Sequence, residues 1–110
     1  MNRNQSLGLI SVVMPAYNAE KTIAKAIQSA RVQTYSDIEV IIVDDCSQDE
    51  TVKIAASYAK KDNRIKVFQN QTNMGAAFAR NRGVEEAGGD WIAFLDSDDR
   101  WVPSKLEKQS

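Results

Sequence analysis

The chain has 110 residues, of which 43% are hydrophobic and 26% are charged, with a formal net charge of -1 and no histidine. This length suits one small domain with its own core, and the nearly neutral charge excludes an electrostatic case for nucleic acid or an anionic membrane surface. The lack of histidine excludes imidazole chemistry, so any catalysis would rest on carboxylates, amides, backbone dipoles and a metal.

Nothing in the sequence indicates export or insertion into a membrane. No apolar stretch approaches the roughly 20 residues that span a bilayer, and the N-terminus has no signal-peptide core. The single cysteine, Cys46, cannot form an internal disulfide. These features predict a cytoplasmic protein. A longer parent chain with a membrane segment elsewhere would place the domain at the inner face of the membrane.

The first third of the chain predicts a leader, a strand and a helix. Residues 1–8 are polar and are expected to form a loose leader, so that the domain begins at residue 9. Residues 9–14 are mostly apolar and predict a strand that ends at Pro15, because proline cannot donate to a sheet ladder. Asn18 is a favourable N-cap for the helix that follows.

The middle of the chain predicts two more strands with a helix between them. An apolar run at residues 38–43 predicts the second strand, and residues 65–68 alternate in polarity as expected for a short third strand. Between them, Ser47 and Glu50 form the capping-box pattern of a helix N-terminus. The polar residues 60–63 are expected to end that helix.

The last third predicts a helix, a buried strand and the beginning of a further helix. Residues 75–87 are rich in alanine, and Gly88 and Gly89 are expected to end this helix as a left-handed cap. The apolar run at residues 91–95 predicts a buried fourth strand. Pro103 suits the first turn of a helix near the C-terminus.

This alternation predicts an α/β fold with a Rossmann-like, mostly parallel sheet and helices on both faces. Ligands of such sheets bind outside the carboxyl ends of the strands. The second strand ends in Asp44 and Asp45, and the fourth ends in Asp96, Asp98 and Asp99. We therefore expect both acidic groups to line one site at one edge of the sheet. Solvated strand ends that cap helices are the simpler alternative for each group taken alone.

The acidic residues after the fourth strand indicate a divalent metal site. Carboxylates this close repel one another, and a hard cation such as Mg²⁺ or Mn²⁺ removes that repulsion. The sequence has neither a Gly-x-Gly-x-x-Gly pattern after the first strand nor a P-loop. A diphosphate bridged by the metal to Asp98 or Asp99 is therefore the expected ligand. Asp45 only accepts hydrogen bonds, so it suits a base with an N–H on its pairing edge, such as uracil, thymine or guanine.

Four motifs in this order resemble those of the inverting family-2 glycosyltransferases, which have a GT-A fold and bind a nucleotide sugar through a metal ion. They cover about residues 9 to 108 and are Ser11-Val12-Val13-Met14-Pro15-Ala16-Tyr17-Asn18, Val43-Asp44-Asp45-Cys46-Ser47-Gln48-Asp49-Glu50-Thr51, Asn73-Met74-Gly75 with Ala79-Arg80-Asn81, and Phe94-Leu95-Asp96-Ser97-Asp98-Asp99. The resemblance implies that residues 9–110 are the N-terminal, nucleotide-sugar-binding half of such an enzyme.

The resemblance also implies roles for individual residues in nucleotide binding. Pro15, Tyr17 and Asn18 match the loop that lines the nucleoside pocket, and Asp45 matches the residue that accepts a hydrogen bond from the base. Asp44 is expected either to contact the nucleotide or to orient the loop. Arg80 matches an arginine that helps to hold the donor, although a solvated surface charge is the alternative for an arginine on a helix.

The same resemblance assigns the metal site to the last motif. Asp96-Ser97-Asp98 matches the DxD motif, so Asp96 and Asp98 are expected to contact the nucleotide, while Asp98 and Asp99 are expected to bind Mn²⁺ or Mg²⁺. Cys46 departs from the family pattern because glycine is common at that position. No residue matches the catalytic base, which is expected beyond Ser110.

The leading hypothesis is the donor-binding domain of a metal-dependent glycosyltransferase of polysaccharide biosynthesis. It would transfer a sugar from a nucleotide-diphospho-sugar, with UDP favoured, to an acceptor hydroxyl with inversion. The acceptor would be a glycan, a lipid-linked compound or another hydroxyl compound. Uncovered apolar surface would favour a homodimer. A non-catalytic nucleotide-binding or interaction module is the alternative. A phosphatase or receiver domain fits less well, since the acidic motif follows the fourth strand.

Overall fold

The computed structural model describes residues 8–106, and strands and helices alternate along this part of the chain. The strands are β1 (Ile10–Ala16), β2 (Ile38–Asp44), β3 (Ile65–Gln69) and β4 (Trp91–Phe94), and the helices are α1 (Ile23–Arg31), α2 (Thr51–Lys61) and α3 (Ala76–Glu86). The predicted order of elements is confirmed, and with it the α/β fold class.

The strands form one parallel sheet in the order β3-β2-β1-β4. β1 and β2 lie in the middle, and all seven residues of each are buried. Their runs of valine and isoleucine suit this position, because a strand between two helical layers is covered on both faces. A parallel sheet of consecutive strands needs a crossover helix between them. The carboxyl ends of the strands therefore lie at one edge.

Helices cover both faces of the sheet, as predicted. On one face, α1 and α2 pack on a core that includes Val12, Met14 and Ile42. On the other face, α3 packs on β1 and β2, and Ala79 joins a smaller buried cluster with Val13. Successive residues of a strand point to opposite faces, which explains why Val12 and Val13 belong to different clusters.

Pro15 lies inside β1, so the prediction that it ends the first strand is wrong. Alternate residues of β1 bond to β2 and to β4. The carbonyl of Ala16 accepts from Asp45 N at 2.8 Å, and that of Val13 accepts from Leu95 N at 3.1 Å. Pro15 therefore faces the β4 side, where the paired residues of β4 have already ended opposite Val13. A proline forfeits no ladder hydrogen bond at such a position.

Neither predicted helix cap is present. α1 begins at Ile23 instead of next to Asn18, and α2 begins at Thr51 with no side-chain cap at Glu50. The Ser47 hydroxyl, predicted to cap α2, accepts from Asn18 N at 2.8 Å. Asn18 and Ser47, which the local sequence pattern predicts as helix caps, therefore bond to each other and connect two loops.

α3 ends without the left-handed glycine cap that the sequence predicts. Ala87, at the cap position, has φ −73° and ψ 137°, and neither Gly88 nor Gly89 has a positive φ. The amide of Gly88 donates to Glu39 Oε2 at 2.6 Å, and that of Gly89 donates to Ser11 Oγ at 2.8 Å. The two amides therefore bind side chains of β1 and β2, and the close approach leaves no room for a Cβ at Gly89.

β4 is an edge strand and not the buried strand that its apolar sequence predicts. The exposed fractions are 58% for Trp91, 40% for Ile92 and 49% for Phe94, whereas Leu95, which follows the strand, is buried. Within residues 8–106, β4 pairs with β1 alone. A short apolar run cannot distinguish a strand with two neighbours from a strand with one.

Parts of two predictions fall outside the described residues. Residues 1–7 make up most of the predicted leader, and residues 107–110 would continue the helix predicted after Pro103. A turn at residues 103–104 leads into helical backbone at residues 105–106. None of the helices in the described part of the chain has the length and apolar character needed to cross a bilayer.

Candidate functional site

A cleft of about 540 Å³ lies at the edge of the sheet where β1, β2 and β4 end. Its walls are the loop from β1 to α1, the first residues after β2, the first turn of α3 and the residues after β4. Six residues that the sequence predicts for nucleotide binding line it, namely Pro15, Tyr17, Asn18, Asp45, Asp96 and Asp98. The two acidic groups thus lie beside one cleft, while Asp44, Arg80 and Asp99 are not among its lining residues.

The loop after β1 forms one wall of the cleft. Pro15 and Ala16 are the last residues of the strand, and the chain reverses at Asn18, which has a φ of 48°. Asparagine is one of the few residues that adopt this left-handed conformation without a large penalty. The reversal leaves the side chain of Tyr17 at the surface with 47% of its area exposed.

Asp45 is buried and connects three segments near the cleft. Its Oδ1 accepts from Asn70 Nδ2 at 2.9 Å and from Met74 N at 2.8 Å, and its Oδ2 accepts from Gly75 N at 2.7 Å. Burial alone would raise the pKa of Asp45, but these three hydrogen bonds outweigh it and hold the pKa below its usual range. Asp45 is therefore ionised near neutral pH, and the first amides of α3 favour that negative charge.

Asp44 is turned into the loop that follows β2. Its Oδ2 accepts from Ser47 N at 2.8 Å, and its Oδ1 accepts from the Ser47 hydroxyl. The carboxylate is buried, with 1% of the residue exposed. Of the two roles that the resemblance left open for Asp44, this geometry favours loop orientation.

The acidic residues after β4 form an exposed turn. The turn is closed by a bond of 3.0 Å from Asp99 N to Asp96 O, and all three of Asp96, Asp98 and Asp99 are exposed. Asp98 lines both the cleft and an adjoining hollow of about 270 Å³, and Asp99 lines the hollow alone. The exposed carboxylates therefore remain available to a ligand that enters from solvent.

The donor atoms of this turn fit a hard divalent cation that shares its coordination with a ligand. Carboxylate oxygens are the ligands that Mg²⁺ and Mn²⁺ prefer. Among residues 8–106, no group of three acidic or cysteine side chains meets at one point to hold an ion alone. Magnesium commonly takes only one or two protein carboxylates and completes its shell with phosphate and water. Such a shared site is what Asp98 and Asp99 could supply.

Arg80 lies on α3 outside the cleft. It is half-buried, and its guanidinium forms no ion pair with any residue in the described range. On a helix of 3.6 residues per turn it follows Ala76, which lines the cleft, by one turn. Ala79, the residue before Arg80, also lines the cleft, so Arg80 follows the cleft wall directly along α3.

Sequence reasoning missed Asp49 as a residue of the cleft. Asp49 lines it and accepts bonds from Thr51 N at 3.0 Å and from Glu20 N at 3.2 Å. Burial alone would raise the pKa of Asp49, but the bonds from Thr51 and Glu20 lower it below its usual range. The motif at residues 43–51 contained a signal, since Asp49 comes two residues before the hydroxyl of Thr51. The interpretation of Ser47 and Glu50 as a capping box left Asp49 without a role.

Comparison with known proteins assigns the family. The model of the family "Glycosyl transferase family 2" matches residues 11–109. An uncharacterised glycosyltransferase of Haemophilus influenzae is 48% identical over 104 residues, which are 94% of this chain and 42% of that protein. The Escherichia coli UDP-Glc:alpha-D-GlcNAc-diphosphoundecaprenol beta-1,3-glucosyltransferase WfgD is 46% identical over 101 residues, which are 92% of this chain and 39% of that protein.

Solved structures show the same fold. The crystal structure of residues 1–349 of Staphylococcus aureus TarS in complex with UDP-GlcNAc superposes with a TM-score of 0.84 at 38% identity, covering 91% of this chain and 29% of that chain. The complex of the same protein with UDP gives the same score and identity. The chain thus spans about two fifths or less of the length of these relatives. With its sheet, its cleft and its four motifs in order, the chain belongs to glycosyl transferase family 2.

Proposed function

We propose that this chain is the donor-binding part of a glycosyltransferase that uses a UDP-sugar. The observation that carries the proposal is the convergence of the Tyr17–Asn18 loop, Asp45 and the Asp96–Asp98 turn on one cleft. A nucleoside diphosphate needs a surface for its base, acceptors for its N–H groups and compensation for its phosphate charge. The complexes of TarS with UDP and UDP-GlcNAc support UDP as the nucleotide.

Asp45 can recognise a nucleobase that donates a hydrogen bond from an N–H group. It is ionised, so it only accepts hydrogen bonds. Its Oδ2 accepts from one protein donor, Gly75 N, whereas its Oδ1 accepts from Asn70 and Met74. A carboxylate oxygen has two lone pairs, so Oδ2 retains capacity for an N–H of uracil. The exposed ring of Tyr17 offers a face on the same cleft.

Mn²⁺ or Mg²⁺ is the proposed cofactor, held by Asp98 and Asp99. When bound, such an ion neutralises the diphosphate and stabilises the charge that develops on the leaving phosphate. The contribution of this chain is to place two exposed oxygen ligands at the end of β4, beside the cleft that would hold the nucleoside. Asp96 lines that cleft as well and is proposed to contact the nucleotide.

The proposed transfer proceeds with inversion. The acceptor hydroxyl attacks the anomeric carbon in line as the bond to the diphosphate breaks, and a base takes the hydroxyl proton. We propose that this base lies beyond residue 110. The chain alone is therefore expected to bind donor without efficient transfer. The name of WfgD, which includes a diphosphoundecaprenol-linked sugar, supports a lipid-linked acceptor. A location at the inner face of the membrane and association as a homodimer remain predictions.

Calorimetric titration of UDP into the protein tests the proposal, first with Mn²⁺ and then with EDTA. The Asp98→Ala and Asp99→Ala variants should lose the part of the affinity that depends on the metal. The matched control is Glu85→Gln, an exposed carboxylate on α3 away from the cleft lining, and it should bind UDP as the unmodified chain does. If the unmodified chain binds no UDP either with Mn²⁺ or with EDTA, the proposal is wrong.

A transfer assay separates the enzyme from the alternative of a non-catalytic binding module. The assay uses UDP-glucose and UDP-GlcNAc with a chain extended to the length of the relatives. Release of UDP that depends on an added acceptor supports the enzyme. If the extended chain binds UDP tightly but releases no UDP from either UDP-sugar when acceptor is added, the result supports the non-catalytic binding module.

A further inference from the structure

Two short relays of hydrogen bonds connect the segment after β2 to the loop after β1. Each relay runs from a carboxylate through a hydroxyl to a backbone amide. The first relay is Asp44–Ser47–Asn18 and the second is Asp49–Thr51–Ala19. They end on consecutive amides of the loop that carries Tyr17 and Asn18, which line the cleft.

In the first relay, the Ser47 hydroxyl donates to Asp44 Oδ1 and accepts from Asn18 N at 2.8 Å. The Asn18 side chain returns the contact, since its Oδ1 accepts from Gln48 N at 2.9 Å. Asn18 is also the residue with φ 48°. These bonds hold the backbone turn at Asn18 in place on both its amide and its side chain.

In the second relay, the Thr51 hydroxyl donates to Asp49 Oδ1 and accepts from Ala19 N at 2.8 Å. The next amide, Glu20 N, donates to Asp49 Oδ2 at 3.2 Å. Thr51 is fully buried at the N-terminus of α2. Its hydroxyl therefore has no competing solvent to bond with.

The chemistry of the groups fixes the direction of both relays. An ionised carboxylate only accepts, and a hydroxyl has one proton to donate. Each hydroxyl therefore gives its proton to the carboxylate and presents a lone pair to the amide. A bond that involves a charged group is also stronger than a neutral one. The amides of residues 18, 19 and 20 are thus all occupied on the side of the loop next to α2.

We propose that Ser47 and Thr51 are positioning residues that hold the loop after β1 in the shape that lines the nucleoside side of the cleft. Neither residue lines the cleft, so each acts on a ligand through its partners, which are the loop amides and, for Thr51, the cleft residue Asp49 as well. That the ligand is UDP rests on the proposed function. The position of the loop itself rests only on the hydrogen bonds described here.

The test compares Thr51→Val with Thr51→Ser. Valine has nearly the shape of threonine but lacks the hydroxyl, whereas serine keeps the hydroxyl and loses only the methyl group. Ser47→Ala interrupts the other relay at a half-buried position. Ser57→Ala is the matched control, because its exposed hydroxyl bonds only to the Ile54 carbonyl within α2. The measurements are UDP affinity by calorimetry and amide exchange of residues 18–20 by NMR.

We expect Thr51→Val and Ser47→Ala each to weaken UDP binding about tenfold, the equivalent of one hydrogen bond in the positioned loop. The amides of residues 18–20 should exchange faster in these variants while the amides of β1 and β2 keep their protection. Thr51→Ser and Ser57→Ala should bind UDP as the unmodified chain does. Rescue by serine separates the hydroxyl relay from a general loss of packing at Thr51.

Two results would overturn the inference. One is UDP affinity that is unchanged in Thr51→Val and Ser47→Ala, and the other is amide exchange at residues 18–20 that does not differ from the unmodified chain. If the unmodified chain binds no UDP, the proposed function fails and the exchange data alone decide. Faster exchange confined to residues 18–20 then upholds the relays, and unchanged exchange overturns them. If Thr51→Val does not fold, Ser47→Ala carries the same comparison.

Discussion

Cys46 lies between Asp45, whose carboxylate lines the cleft, and Ser47, whose hydroxyl accepts from Asn18 N. The backbone of Cys46 is left-handed, with φ 67°. Glycine is common at this position in the family that the sequence resembles, and the structure supplies the reason. A side chain in this conformation brings Cβ close to the following carbonyl oxygen, which costs roughly 1–2 kcal/mol. The thiol recovers little of this cost, because the S–H group that donates to Gln71 O at 3.6 Å is a weak hydrogen-bond donor.

We predict that Cys46→Gly stabilises the protein by about 0.5–1 kcal/mol, because the release of strain exceeds the greater freedom of glycine in the unfolded chain. Urea denaturation followed by circular dichroism measures the free energy of unfolding. Cys46→Ala is the control, since alanine keeps the strained conformation and removes the thiol. Greater stability in Cys46→Ala than in Cys46→Gly would show that the thiol, and not the backbone, causes the strain.

At the scale of single residues, the sequence predicted three of the carboxylates that line the cleft, but it missed Asp49 and did not predict what each carboxylate contacts. Asp45, Asp96 and Asp98 lie beside one cleft because strand ends of a parallel sheet share an edge. The bond from Asn18 N to the Ser47 hydroxyl could not be predicted, because it spans 29 positions of the chain. Local patterns such as a capping box carry no information about such a partner.

At the scale of elements, the connection from α3 to β4 is held against the opposite end of the sheet from the cleft. Glu39 Oε2 accepts from Ser11 Oγ at 2.6 Å and from Gly88 N at 2.6 Å, and Glu39 Oε1 pairs with Lys66 at 3.2 Å. Gly89 N donates to Ser11 Oγ at 2.8 Å. This group of polar side chains ties β1, β2 and β3 to the segment that leads into β4.

The two adjacent glycines of this connection should respond differently to alanine. A Cβ at Gly89 would lie 2.7 Å from Leu9 O and 2.6 Å from Ser11 Oγ, whereas at Gly88 it would lie 3.7 Å from Glu39 Oε2. We predict that Gly89→Ala destabilises the fold by about 1–3 kcal/mol, while Gly88→Ala changes stability by no more than about 0.5 kcal/mol. Thermal unfolding of both variants checks this. Equal effects would mean that these glycines are needed for flexibility instead of space.

The order of elements followed from the sequence because each helix and each strand carries its own periodicity. The predicted end of β1 and the predicted burial of β4 were wrong, because a neighbouring strand determines each of them. Pro15 remains in β1 because β4 has ended beside it, and β4 is exposed because no further strand pairs with it among residues 8–106. Both outcomes depend on which strand lies alongside and where that strand ends, and the sequence of one strand carries no information about its neighbour.

At the scale of the whole molecule, several carboxylates have a pKa below the ordinary value. The Arg64 side chain, with help from Arg31, lowers the pKa of Asp62 far below its usual range. Burial would raise the pKa of Glu39, but bonds from Ser11, Gly88 and Lys66 outweigh it and lower that pKa. Asp45 and Asp49 are shifted in the same direction. The folded state therefore binds fewer protons than the unfolded state in mild acid.

We predict that the protein loses stability progressively below about pH 5. A carboxylate whose pKa is lowered on folding contributes stability above its unfolded pKa of about 4, and this contribution disappears as the pH falls through the folded pKa. Melting temperatures between pH 7 and pH 3 measure the effect. Asp62→Asn and Glu39→Gln should melt lower at pH 7 and depend less steeply on pH, whereas Glu85→Gln should run parallel to the unmodified chain. Parallel profiles for all three variants would contradict the assignment.

The exposed edge of β4 has a consequence for the handling of this domain. Trp91 N and Leu95 N donate to β1, so the backbone groups of Ile92 and Phe94 point away from the sheet beside exposed apolar side chains. A row of this kind is a template on which another extended chain adds as a new strand. We therefore expect concentrated solutions of the isolated domain to aggregate edge to edge, and a charged residue in place of Ile92 to suppress this aggregation.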